Sequence, residues 1–258
     1  MTADAPSPAD FNPAPMPPTR EFLARQAGHI ETILGAAETA LTEYAAVPFS
    51  AAASEPADGA RNAVSAALSA VRGAVATAEQ TVDDNSMYPV GRRAKVDDVV
   101  KATDALVRDA INEAETAALV AEAASRVAIT PEVSTREALI ARHDLALMLG
   151  DPTRGDFGAR LEALVAMDGP AAHLAAGEYL RLYLTAHGVE PRLSEGYAVK
   201  AREAAIKAAA TSDDPARRAA AASSNSSVQA RRAALAAQTA WGQARQHIEQ
   251  VSRRIPRV

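Results

Sequence analysis

Three long stretches of this chain carry aliphatic and alanine residues at alternating spacings of three and four, a pattern that few folds besides packed helices can use. From Thr19 the series runs Leu23, Ala27, Ile30, Leu34, Ala37, Leu41 and Tyr44, the a/d seam of a coiled-coil-like helix that should end before Pro48. A second seam runs Val64, Leu68, Val71, Val75, Ala78 and Val82, opened by Asp58 as an N-cap and stopped at Asp83-Asp84-Asn85. The third and longest takes Val96, Val99, Thr103, Leu106, Ala110, Ala117, Val120, Ala124 and Val127, up to Pro131. At 1.5 Å per residue these helices are expected to span roughly 35 to 55 Å each. About a quarter of the residues are alanine and only 4% are aromatic, so the helices must approach closely and the best helix former dominates. Stripes this thin are expected to need company, closing against other chains.

The texture changes after Pro131. Ser134 and Glu137 have the spacing of a capping box, opening a helix through Leu139, Ile140, His143, Leu147 and Met148 that stops at Gly150-Asp151-Pro152. Phe157, Leu161, Leu164 and Val165 mark a short helix, followed by one from about Ala171 to Ala186. Gly188 and Pro191 end it, and further helices are expected over about 194–210 and after Asp214-Pro215. The run Ser223-Ser224-Asn225-Ser226-Ser227 offers side-chain caps that compete with helix, so a hinge is expected there. A basic helix then continues to about Ser252, with Val228, Leu235, Trp241, Ile248 and Val251 as its large apolar residues. The fold class expected is all-α: a three-long-helix bundle over 19–130, a compact short-helix core over 131–192 and an Ala/Arg-rich tail over 193–258.

Six prolines in residues 1–18 rule out helix or central strand there, leaving an extended arm in which Phe11 and Met16 are the natural anchors. The other end is distinguished by charge. Residues 213–258 hold eight arginines against Asp213, Asp214 and Glu249, a balance of +5 within a total of −5. A basic tail on an acidic body is suited to an acidic protein surface or to nonspecific nucleic-acid contact. Specific readout lacks its elements, since Trp241 is the tail's only aromatic and no recognition turn precedes the last helix. Between the second and third helices, Met87-Tyr88-Pro89-Val90-Gly91-Arg92-Arg93 concentrates bulky and cationic groups. As a contact loop it would offer Tyr88 as a rigid anchor and Arg92 and Arg93 as forked donors; as a bundle turn its arginines would compensate Asp83 and Asp84.

Catalytic chemistry finds little purchase. With no cysteine, thiolate nucleophiles, Fe–S clusters, disulfides and Cys-containing zinc sites are excluded. The five histidines show no metal-ligand spacing, and neither phosphate-binding glycine loops nor a nucleophile elbow occurs. No catalytic residue, cofactor or metal is expected; an enzyme would require His143, Glu178, Tyr179 and Tyr183 to converge. No run is long and apolar enough for a membrane span, and the first residues lack the features of a secretory signal, so a cytoplasmic or virion location and no membrane partner are expected.

This layout of arm, helical seams, acidic body and basic C-terminus resembles that of phage head-assembly and virion proteins such as scaffolding proteins. The resemblance is one of layout, without a shared motif. It implies a nonenzymatic structural protein acting through protein–protein contacts, with Arg231, Arg232, Arg253 and Arg254 meeting an acidic shell or nucleic acid and the arm threading onto a neighbour. The alternative is a monomeric helical adaptor or regulator that binds a peptide or helix. Partner-binding candidates are therefore Phe11, Met16, Tyr88, Arg92, Arg93, Arg231, Arg232, Trp241, Arg253 and Arg254.

Overall fold

A computed structural model describes residues 18–256, so Phe11 and Met16 lie outside the described residues. Among those described, ten helices and no strand are present: α1 Arg20–Ala45, α2 Ala51–Asp83, α3 Pro89–Ile129, α4 Thr135–Leu149, α5 Phe157–Ala166, α6 Pro170–Ala176, α7 Tyr179–Ala186, α8 Pro191–Ala210, α9 Pro215–Ala222 and α10 Ser226–Ser252. The fold is all-α, as the periodicity predicts. It forms two compact units. The first draws on Met1–Ala36, Ala66–Asp109 and Ala236–Val258, the second on Ala37–Ser65 and Ala110–Leu235.

In the first unit the seams are buried within one chain. Leu23, Ile30 and Leu34 of α1, Leu68, Val71 and Val82 of α2, and Ile248 and Val251 of α10 are all at most 7% exposed. The expectation that these thin stripes need further chains is thereby corrected: the basic helix at the C-terminal end, α10, supplies part of the wall through Ile248 and Val251. The sequence reading credited α10 only with its large apolar residues, of which Val228 and Leu235 are exposed at 68% and 47%. Its buried stripe is mostly alanine, through Ala230, Ala233, Ala237, Ala240 and Ala244.

The second unit has two cores. One joins Tyr44 of α1 and Ala53, Ala57 and Ala60 of α2 to Ala118 and Ala121 of α3 and Ala230 of α10. Phe49 meets Tyr44 edge to face at 5.5 Å. Packing of Ala53 and Ala57 explains why α2 begins at Ala51, ahead of the expected Asp58 cap and through Pro56. The Ser50 carbonyl accepts from Ala53 and Ser54 at the helix start, while Asp58 instead pairs with Arg61 at 2.9 Å. At Gly59 an added Cβ would sit 3.7 Å from that of Ala117, a measure of how near the two backbones run.

The other core is built from larger side chains on the short helices, with Phe157, Leu161, Leu180 and Leu184 fully enclosed. Here α5 packs on α8 and α6, and α4 on α6 and α5. The capping box forms in part: Ser134 Oγ accepts from the Glu137 amide at 3.4 Å and donates to its carboxylate at 2.5 Å. Gly150 closes α4 at φ 57°. The single helix expected over 171–186 is two, because Gly177 turns extended between α6 and α7.

Along α3 the buried positions are Arg92, Val96, Thr103, Val107, Ile111, Ala114, Ala118, Ala121, Glu122, Ser125 and Ile129. Val96, Val107, Ala118 and Ile129 are spaced by eleven. That corresponds to about 3.67 residues per turn, so the stripe drifts less around the helix than a heptad stripe would. The expected heptad register therefore slips by one after Thr103, leaving Leu106, Val120 and Val127 exposed at 60%, 51% and 61%.

Alanine at these crossings should be hard to enlarge. Ala121→Leu, at a fully buried position, is expected to cost about 1–3 kcal/mol through overpacking, whereas Leu119→Ala at a 61% exposed site should change stability by less than about 0.5 kcal/mol. Thermal unfolding of the two variants measures the contrast.

Candidate functional site

The turn between α2 and α3 divides its residues between surface and interior. Tyr88 is 87% exposed and free to act as an anchor. Arg92 is buried and its Nη1 donates to the Val82 carbonyl at 2.8 Å. Arg93 Nη2 donates to the carbonyls of Ile255 at 2.9 Å and Pro256 at 3.1 Å. The forked donors expected to reach a partner are thus used on the chain's own carbonyls, Val82 in the last turn of α2, where no intrahelical donor reaches, and Ile255 and Pro256 beyond the end of α10. Of the three, only Tyr88 stays exposed to solvent, and the arginines meet backbone carbonyls, with Asp83 paired to Arg254 instead.

Trp241 is also interior, 6% exposed, with its indole N–H donating to Asp104 at 2.6 Å. Asp104 also pairs with Arg245 at 3.4 Å. One turn and a half further along, His247 is buried with Nε2 at 2.9 Å from Glu79. Arg254 meets Asp83 at 2.8 Å. In the second unit Arg231 and Arg232 lie on the open face of α10, loosely paired with Glu115 at 3.8 Å and Glu43 at 3.5 Å. Arg253 is exposed and makes no ion pair among the described residues. The basic tail and acidic body therefore complement one another within the chain. Among the described residues of the tail, the exposed arginines without a close carboxylate partner include Arg218, which donates to the Ser212 carbonyl, and Arg253, beside the loosely paired Arg231 and Arg232.

The serine run expected to hinge is enclosed. Ser223, Ser224 and Ser226 are at most 4% exposed. Ser223 Oγ lies 2.7 Å from Ser125 Oγ and donates to the Ala219 carbonyl at 2.9 Å, Ser224 Oγ donates to the Ala221 carbonyl at 2.8 Å, and Ser227 donates to Glu122. The hydroxyls that compete with helix here terminate α9 and fasten the turn to α3.

A polar cluster holds the short helices to the end of α3. Asp168, at φ 53°, accepts from Arg217 and lies 3.0 Å from His173 Nε2. Arg217 also donates to the Ile129 carbonyl, the last of α3, at 3.3 Å. The Arg217 hydrogen bond, joined by that of His173, holds the Asp168 carboxyl below its ordinary range against the opposing effect of desolvation. The four residues an enzyme reading would need have other engagements: Tyr183 donates to the Gly150 carbonyl at 2.7 Å, Tyr179 lies under Arg142 at 5.0 Å, Glu178 faces Arg181 at 3.6 Å and His143 is exposed on α4. That constellation is not formed. No group of three metal-ligating side chains occurs among the described residues, and no described helix is long and apolar enough to cross a membrane.

The feature that sequence reasoning missed is the outer face of α4. Its inner face buries Ala141, Leu145 and Leu149. Opposite them Leu139, Ile140 and Leu147 are exposed at 69%, 65% and 70%, with Met148 at 39%. An ordinary surface helix is polar on its far side; on this one Leu139, Ile140 and Leu147 stand exposed among Arg136, Arg142, His143 and Asp144. Beside it, between α4 and the α5–α6 turn, a groove of about 390 Å³ is lined by Ile140, Leu147, Met148 and Met167 with Glu137, Asp144 and Asp168 at its edges. Its signal was present as Leu139-Ile140 and Leu147-Met148, taken as core because burial of one face could not be told from burial of two.

Two substitutions test these polar anchors. Asp104→Ala leaves the Trp241 indole without its acceptor and should cost about 1–3 kcal/mol, with a red shift in the emission of the chain's one tryptophan. Asp168→Asn keeps a residue type that tolerates positive φ and removes the charge. Because the folded carboxyl titrates below its unfolded value of about 4, its stabilisation is complete above that pH and is lost as pH falls through the lower folded value. The half-exposed side chain limits the gap between wild type and variant to about 1 kcal/mol at neutral pH; thermal unfolding across pH should show that gap closing below pH ~4.

Set against protein-family models, curated proteins and solved structures, the chain gives no match, so its function is argued from the chemistry of its own surfaces.

Proposed function

We propose that this chain is a nonenzymatic structural protein that works through protein–protein contacts as a component of a larger assembly, with a phage head or virion as the setting its layout suggests. The observation that carries the reading is the outer face of α4: Leu139, Ile140 and Leu147, each about two-thirds exposed or more, on a helix whose other side is already buried. Exposed apolar side chains are ordinary when scattered, but their concentration on one helix is a feature of interaction sites. Tyr88 adds a rigid amphipathic anchor elsewhere, and the α10 arginines add charge. Nonspecific contact with nucleic acid remains a lesser element of the reading, because most tail arginines already have acidic or carbonyl partners in the chain.

A second reading, a helical adaptor that binds a peptide, is favoured by the groove between α4 and the α5–α6 turn. Apolar walls with acidic edges suit a basic amphipathic segment. The two readings differ in solution mass. Light scattering on the full chain across a concentration series should show reversible self-association for an assembly protein; a strict monomer at every concentration would remove that reading and leave the adaptor.

A further inference from the structure

The exposed face of α4 is self-complementary. About a point midway between His143 and Asp144, the positions related by reversal are Ile140 with Leu147, Leu139 with Met148, His143 with Asp144, and Arg136 with Asp151. On the outer side of the helix apolar positions map onto apolar ones and His143 maps onto Asp144, while Arg142, which maps onto the buried Leu145, lies over the Tyr179 ring instead. Arg136, Ile140, His143 and Leu147 fall on one side of a helix at 100° per residue, with Leu139 and Asp144 flanking them. All of these are exposed, so they are available together. Asp151 lies just past the Gly150 stop, its carboxylate fixed by the Thr153 amide at 2.9 Å and hydroxyl at 2.7 Å.

We infer that two copies of this chain pair through α4, antiparallel across a two-fold axis that passes between His143 and Asp144. This rests on the assembly reading and specifies its contact. The commitment to a second copy, over a foreign helix, comes from the reversal symmetry itself: a face shaped for an unrelated partner needs no match between its own two halves, whereas an isologous interface requires one. Charge agrees with it, because antiparallel alignment brings His143 of each copy to Asp144 of the other, whereas parallel alignment would set Asp144 against Asp144. α4 is 15 residues long, about 22 Å, enough for two such pairs of apolar contacts on each side of the axis. The groove beside Leu147 and Met148 leaves room for the partner's Leu139 and Ile140.

The chain has no cysteine, so single introduced thiols report the geometry. Asp144→Cys, next to the axis, should oxidise to a disulfide-linked dimer; Leu139→Cys should not do so alone, but should when mixed with Met148→Cys. In light scattering, Ile140→Glu and Leu147→Glu should each weaken dimerisation by roughly tenfold or more, since they bring charge into an apolar contact. Their circular dichroism should stay that of wild type, because both sites are exposed in the single chain, and their thermal midpoint should match that of wild type diluted to its monomer. A wild type that dimerises while both Glu variants dimerise equally well overturns the α4 pairing and leaves the assembly reading standing. A wild type that is monomeric throughout overturns both. Dimers lost only on removal of residues 1–17, with the α4 variants unaffected, assign the interface to the arm and overturn the pairing as well.

Discussion

Helix backbones in this chain meet across alanine, and most of the architecture follows from the small size of that contact. Where Ala118 and Ala121 of α3 face Ala53, Ala57 and Ala60 of α2, nothing bulkier than a methyl group separates the chains. Short-range dispersion between well-packed backbones and a small apolar area per residue replace the deep interdigitation of leucine seams. Such a core gains little from any one residue and so needs length. Helices of 26, 33, 41 and 27 residues supply it. It also tolerates a proline inside α2, because the alanines on either side of Pro56 remain seated.

Arginine has a matching task at the ends. The last carbonyls of a helix lack intrahelical donors, and a guanidinium can reach them from a neighbouring element with its charge aligned to the helix dipole. Arg92 does this at the end of α2 through Val82, Arg160 at the end of α4 through Leu149, and Arg217 at the end of α3 through Ile129. Elsewhere Arg245 and Arg254 find Asp104 and Asp83. A tail rich in arginine on an acidic body was legible as a charge asymmetry, and a charge asymmetry has the same appearance whether its complement is another molecule or the preceding part of the chain. Burial separates the two cases, and burial is not written in composition.

Local rules were therefore read more accurately than long-range ones. The cap at Ser134, the stop at Gly150 and the turn at Asp214-Pro215, where Asp214 accepts from the Ala216 amide at 2.8 Å, depend on residues within a few positions of each other. The face that α3 buries depends on residues of several other helices distant in sequence, and a heptad frame imposed on it fails where the stripe advances by eleven. On α10 the same difficulty takes another form. Alanine is compatible with core and surface alike, so Val228 and Leu235 drew attention while Ala233 and Ala240 held the core. Of the candidate contact residues, Trp241 and Arg92 were conspicuous because they are bulky and polar at once, the combination a buried hydrogen bond also selects.

A core made of alanine changes what a bulky surface residue means. In a leucine-rich protein an exposed leucine is one of many and carries little information. Here the long helices mix alanine with larger residues such as Leu34, Leu68 and Ile248 in their buried seams, and the short helices enclose Leu145, Leu149 and Leu161. α4 contributes to that core with one face and repeats the same residue types on the other. Nothing in helix propensity asks for Leu139, Ile140 and Leu147 on a solvated side, since alanine, glutamate or lysine would serve the helix as well or better. Each apolar side chain left in water there forgoes about 1.5–3 kcal/mol that burial would supply. On this helix, as at Leu106, Leu119, Val120 and Val127 of α3, the chain leaves large aliphatic side chains in water, a hydrophobic free energy that burial against another surface would release.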